Sequence, residues 1–262
     1  MKNIYTYAIF ATIIAIMQTG CGPVLYTNVG QNVPMFIEKD EFSFTGSYAA
    51  AGSNGMREGT GLGLSAAYSF SDKWAGITSF YSINFGEDKD DPEFRKRGTY
   101  FELGGGRYGS FASGRVGWEV FGGLGFCGIR NEDGTERINV GFIKPFVQPS
   151  IGYLSPYFDL IFTPRVAMVG YTKKDIRTTD VQYRRMANDF FEQHGTSLVF
   201  EPGITVRAGY KNTKVFLQTN YSTFKNEFEG NTVAANNFVN VGVNLLFSNN
   251  KGEMRTPKKR GR

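Results

Sequence analysis

The sequence predicts an all-β fold, a ten-stranded antiparallel up-and-down transmembrane β-barrel with a short helix in one extracellular loop. Three observations lead there. Ten stretches alternate apolar and polar residues with period two, as strands do when each face meets a different environment. The connections alternate between short and long, matching the tight turns at one rim of such a barrel and the loops at the other. A soluble sandwich has no reason to sort its loops by parity. Glycine is abundant (33 of 262 residues), aromatics reach 15%, and no long apolar helix is foreseen after the first twenty residues.

The stretches run over 41–51, 60–70, 74–85, 99–108, 115–128, 141–153, 157–171, 196–210, 213–224 and 237–247. "SDK", "GSFASG", "LSP" and "KN" are the short connections. "GSNGMREG", "EDKDDPEFRKR", "RNEDGTERIN", residues 172–195 and "KNEFEGNTVAAN" are the longer, more charged ones. In "FVNVGVNLLF", Val239, Val241, Val243, Leu245 and Phe247 form one face and Asn240, Gly242 and Asn244 the other. The apolar face is expected to meet lipid and the amides the lumen. Three apolar residues, Phe121, Ile161 and Phe80, fall on the polar face of their stretches.

This phase makes the interior offer Glu102, Glu119, Asp159 and Glu201 with Lys144, Arg165 and Arg207. Charges confined in a narrow lumen should pair, because an unpaired buried charge is costly. Ten strands lie near the size at which side chains fill a barrel. The set reads as a structural ion-pair network, ahead of a small conducting pore or a catalytic cluster.

The front of the chain, "MKNIYTYAIFATIIAIMQTGCG", places Lys2 before an apolar run from Ile4 to Met17, too short for a spanning helix. It reads as a secretory signal. Its end, Thr19-Gly20-Cys21, resembles the lipobox of bacterial lipoproteins, with Gln18 where the pattern usually has Leu. That resemblance implies a lipidated Cys21 as mature N-terminus and a division into a signal peptide (1–20), a lipidated tether (21–40), the barrel (41–247) and a basic periplasmic tail (248–262). With Cys21 carrying lipid, Cys127 has no disulfide partner. No charge lies between Cys21 and Ile37, hence no acidic surface-export signal, so the lipid is expected in the periplasmic leaflet with the long loops outside.

Other motifs weigh less. Gly104, Gly106 and Gly109 match G-x-G-x-x-G without the βαβ context that dinucleotide binding needs. Glu87, Asp88, Asp90 and Asp91 lack calcium-loop spacing and read as a solvated loop. His194, the only histidine, has Asp189, Glu192 and Ser197 near in sequence, which leaves a hydrolytic site as an alternative to a histidine at a helix C-terminus. No cofactor or metal is implied. In "TTDVQYRRMANDFFEQHG", Thr179 and Gln182 form a capping box and Gly195 a stop. Tyr183, Met186, Ala187, Phe190 and Phe191 form an apolar stripe expected to pack on the barrel mouth or to dock a protein partner. The tail's Lys251, Arg255, Lys258, Lys259, Arg260 and Arg262 against Glu253 carry +5, the formal net charge of the whole chain. An exported chain excludes nucleic acid, leaving anionic headgroups, peptidoglycan or an acidic protein for the tail.

Cys21-Gly22-Pro23, "YTNVGQNVPMF", "GLGLSAAYSFSDKWAGI", "YFELGGGRYGSF" and "FVQPSIGY" together resemble small outer-membrane β-barrel lipoproteins of the Bacteroidota. The resemblance implies fold and location and brings no catalytic residue or ligand. The expected role is a structural or interaction component, an accessory subunit of an envelope assembly or secretion complex. A narrow pore or a barrel hydrolase is the alternative.

Overall fold

In the computed structural model the alternating stretches close on themselves. It describes residues 23–52, 59–87, 95–112, 114–134, 136–179, 181–210, 212–224, 227–228, 231–232 and 234–248. The signal, Cys21, the acidic run from Asp88 onward and the basic tail beyond Ser248 lie outside them. In chain order the elements are β1 (Tyr26–Thr27), β2 (Glu41–Gly52), β3 (Gly59–Tyr68), β4 (Trp74–Glu87), β5 (Arg95–Phe111), β6 (Val116–Asp133), β7 (Glu136–Leu154) and β8 (Phe158–Arg177). Then follow α1 (Val181–His194), β9 (Thr196–Tyr210), β10 (Thr213–Tyr221), β11 (Glu227–Phe228), β12 (Asn231–Thr232), β13 (Ala234–Ala235) and β14 (Asn237–Ser248). Ten of these strands form a closed barrel in the order β10-β14-β2-β3-β4-β5-β6-β7-β8-β9. Every neighbouring pair is antiparallel, and β14 pairs with β2 over its full length to seal the cylinder.

The faces sort as the alternation predicts. On β14 Val241 is 53% exposed while Asn240 is 2% exposed. On β6 the outward positions Val116, Trp118, Val120, Leu124 and Phe126 span ten residues of strand. At about 3.3 Å per residue and a tilt near 40°, that is about 25 Å, the height of an outer-membrane hydrocarbon band. Exposed aromatic residues gather toward the short-turn rim, among them Phe70, Trp74, Phe111, Tyr157, Tyr210 and Phe247. Rings there match the aromatic girdle of a membrane interface.

Three expectations need correction. "RNEDGTERIN" is not a long loop: β6 and β7 continue into it and turn at Gly134, whose φ of 55° suits glycine. Likewise β8 runs on to Arg177, so strands β5 to β8 rise above the apolar band. Third, β4 faces the other way. Phe80 is 45% exposed on the outer surface, and Ile77, Tyr81, Ile83 and Phe85 point inward. Those four join a core cluster with Val24, Leu25, Tyr26 and Val29 of the N-terminal segment, so this part of the lumen needs an apolar wall.

That segment is the main departure. The tether region from Pro23 to Phe36 runs buried through the lumen. It begins at the long-loop rim, where Val24 bonds Asn131 near the end of β6 and the Leu25 carbonyl accepts from the Tyr171 hydroxyl. It leaves at the short-turn rim, where Ile37 and Glu38 donate to Glu41. The β10–β14 connection also folds inward: β13 pairs in parallel with β1, and Phe224 stacks on Tyr26 at 4.4 Å. The described chain thus starts at the long-loop rim, while the expected anchor, Cys21, lies outside the described residues.

Helix α1 caps the same rim. Ala187, Phe190 and Phe191 are buried, with Phe191 5.2 Å from Tyr171 in an edge-on contact and Lys174 above its ring at 4.8 Å. The barrel itself therefore covers these three residues of the stripe; the side chains of Tyr183 and Met186 lie outside the described set.

Val241→Arg should lower stability by about 2–4 kcal/mol, the cost of a cation on the lipid face near the bilayer midplane, whereas Val241→Ala should cost much less. Denaturant titration of the barrel in lipid vesicles checks this; equal losses would refute the register of β14.

Candidate functional site

Among the described residues, buried polar chemistry concentrates in the lumen with its threaded segment. Apart from the two residues of β1, the buried chain has no strand partner, and its backbone donors and acceptors are left to side chains. Inward amides of the wall do so. Asn131 accepts from Val24 N and returns a bond to Val24 O, both 2.8 Å. Gln218 repeats that two-way clamp at Gln31, with both bonds 2.9 Å. Asn220 donates to the Val29 carbonyl at 2.7 Å and Gln148 to the Asn32 carbonyl at 2.8 Å. Lower down, Arg207 donates to the carbonyls of Val33 and Pro34, and the Glu119 carboxylate accepts from Met35 N at 2.9 Å. The segment adds its own amides: Asn32 donates to the carbonyls of Ala66 and Thr78, and Gln31 to that of Glu201.

All seven charged residues expected in the lumen are buried there, but they divide into two uses. Arg165 meets Glu102 through two bonds of 2.9 and 3.3 Å, and Lys144 meets Glu201 at 2.6 Å. Both pairs reach the threaded chain. Arg165 Nε donates to Gln148, which holds Asn32, and Glu201 accepts from the Tyr26 hydroxyl. Asp159 pairs with Lys214 at 2.6 Å, a residue at the start of β10 that the sequence reading omitted. Glu119 and Arg207 both bond the segment's backbone.

Sequence reasoning also passed over Asn131, Gln148, Gln218, Asn220 and the segment's Tyr26, Asn28, Gln31 and Asn32. A signal for them existed. Fifteen residues without a charge, with Val24, Leu25, Val29, Val33, Met35 and Phe36 among the amides, suit burial better than solvent.

Glycine lets the two chains approach. A Cβ at Gly30 would lie 2.2 Å from the Tyr81 hydroxyl oxygen and 2.8 Å from Asn240 Nδ2. Between segment and wall remains a polar cavity of ≈ 20 Å³, bordered by Asn32, Tyr81, Arg207, Gln218 and Asn240. That is room for about one water.

His194 ends α1 with Nδ1 3.1 Å from the Phe190 carbonyl oxygen and its ring stacked on Phe190, while Asp189 and Glu192 are exposed. Among the described residues no cluster of three or more metal-ligating side chains occurs. Gly104 and Gly106 sit within β5, where a Cβ would strike the β6 backbone at 2.9 and 2.1 Å. They serve strand packing.

No known family profile and no curated protein matches the chain. Several solved structures are similar to it. The Neisserial surface protein A is 12% identical, covering 79% of this chain and 96% of that one at a TM-score of 0.38. Ail, the attachment invasion locus protein of Yersinia pestis, is 10% identical over 80% and 99%, at 0.32. The translocator domain of the autotransporter NalP from Neisseria meningitidis is 11% identical over 94% and 96%, at 0.31.

Two outcomes test the lumen. Arg165→Met should cost about 3–5 kcal/mol by stranding Glu102, and a joint Arg165→Met, Glu102→Met variant should recover much of it. Unfolding midpoints in vesicles measure both. Gly30→Val should displace the segment, seen as faster proteolysis within residues 23–36 of the folded barrel.

Proposed function

We propose that the protein is an outer-membrane lipoprotein whose sealed barrel serves as a structural or interaction component, an accessory subunit of an envelope assembly or secretion complex. The observation that carries this reading is the occupied lumen. A conduit needs a continuous aqueous path, and here Pro23 to Phe36 fill the bore with direct hydrogen bonds to the wall. An outer-membrane setting is supported by the apolar outer face, the band height and the aromatic girdle. Lipidation of Cys21 rests on the Thr19-Gly20-Cys21 sequence.

A barrel stabilised by its own N-terminal segment is a rigid platform. What it offers partners is its two rims. At one rim strands β5 to β8 rise with Arg97 and Arg130 exposed and α1 beside them. At the other β14 ends at Ser248, from which the basic tail departs.

The full-length protein in planar bilayers should show no unitary conductance, and a variant with residues 23–36 replaced by a short Gly/Ser linker should conduct. Steady channels from the intact protein would overturn the sealed-barrel reading. Gentle isolation from the native membrane should yield a stoichiometric companion protein; a lone monomer would count against the subunit role.

A further inference from the structure

We infer that the lipid on Cys21 sits in the outer leaflet, on the same face as the long loops, because the chain behind it has been carried outward through the barrel's lumen. The inference rests on the proposed lipidation and on the long-loop rim being the external one.

The path argues it. Val24 and Leu25 are held at the long-loop rim by Asn131 and Tyr171, and β1 is fixed beside β13 in the loop that enters from that rim. Thirteen residues later Ile37 stands at the short-turn rim, bonded to Glu41. Only Gly22 separates Cys21 from Pro23. At most about 3.6 Å per residue, Cys21 Cα is within about 7 Å of Pro23 Cα. A return to the short-turn side would need a chain as long as the threaded segment itself, roughly 40 Å of extended backbone. None is present after the cysteine. Long loops face outward in such barrels and tight turns face the periplasm, so the acyl chains enter the leaflet around the external rim.

The absence of charge between Cys21 and Ile37 now has a physical cause. A charge in this stretch would lie in the lumen and need a partner there. The wall's described Glu102, Glu201 and Asp159 already have cations, and Glu119 already accepts from the segment. An external anchor here needs no acidic address next to the cysteine, because the barrel supplies the route.

The test places a seven-residue protease site between Gly22 and Pro23 in full-length protein, in cells fed radiolabelled palmitate. A second variant, Asn188→Cys with Cys127→Ala, reports the side of α1 through an impermeant maleimide. Protease added to intact cells should remove all palmitate label from the barrel and increase its electrophoretic mobility, and Asn188→Cys should react in intact cells. Cleavage only after the outer membrane is opened, with Asn188→Cys reacting in intact cells, would overturn the external anchor. Both sites reacting only in opened cells would overturn it equally, by inverting the barrel. No palmitate incorporation would instead defeat the lipidation reading, a separate failure, and with it this inference. Heat-modifiable migration verifies that the insertion variant has closed. Should it fail to close, Gly22→Cys with Cys127→Ala adds no residues and is read by the same maleimide: labelling in intact cells supports the external position and labelling only in opened cells refutes it.

Discussion

Everything inside this barrel answers to one requirement: a buried chain with only the two-residue β1 for regular structure still has to have its backbone amides and carbonyls paired. In the threaded segment, side chains of the wall do what a neighbouring strand does elsewhere. Asn131 and Gln218 each donate and accept at a single residue, as a β-ladder partner would. Each such bond contributes only about 0.5–1.5 kcal/mol net, but leaving one unmade costs about 1–3. The lumen's polarity is therefore complementary to a particular chain path. It is not the polarity of a surface left in water.

The ion pairs fit the same logic as braces. A buried pair is at best a modest source of stability by itself, and here each holds a residue that holds the segment. Arg165 orients Gln148, whose amide meets Asn32. Glu201, neutralised by Lys144, takes the Tyr26 hydroxyl, and Tyr26 is stacked between Phe142 and Phe224. Apolar packing sets the rest of the path. Val24, Leu25 and Val29 share a cluster with Ile77, Ile83 and Phe85, which explains why β4 turns its greasier face inward.

Much of this was legible in the sequence where alternation is strict. The two faces of β14 and the seven lumenal charges follow from period two alone, because a strand gives each residue one of two sides. Loop parity likewise yields the closed, even-stranded topology. Phe80 misled because β4 has apolar residues on both sides, so its phase is set by the lumen's contents and not by polarity. The hairpin at Gly134 was hidden by charged residues that top a strand as readily as they fill a loop. The N-terminal segment was opaque for a deeper reason. Its partners lie far off in the chain, Asn131 107 residues from Val24 and Asn220 191 residues from Val29, and no local period announces a single extended chain buried end to end.

The seam between β14 and β2 has a mechanical consequence for the segment it encloses. Closing it turns the wall into a ring around its own leader, a lasso with the N-terminus passed through the loop. With lipid on Cys21, a bulky knot lies at one end and the whole sheet at the other. Such a thread cannot be inserted after the ring is shut, nor withdrawn while it stays shut. The leader must already be in place when the last strand meets the first. On the proposed lipidation, pulling on the acyl chains would then load the hydrogen bonds of a closed sheet, and the anchor would be lost only by tearing the cylinder open.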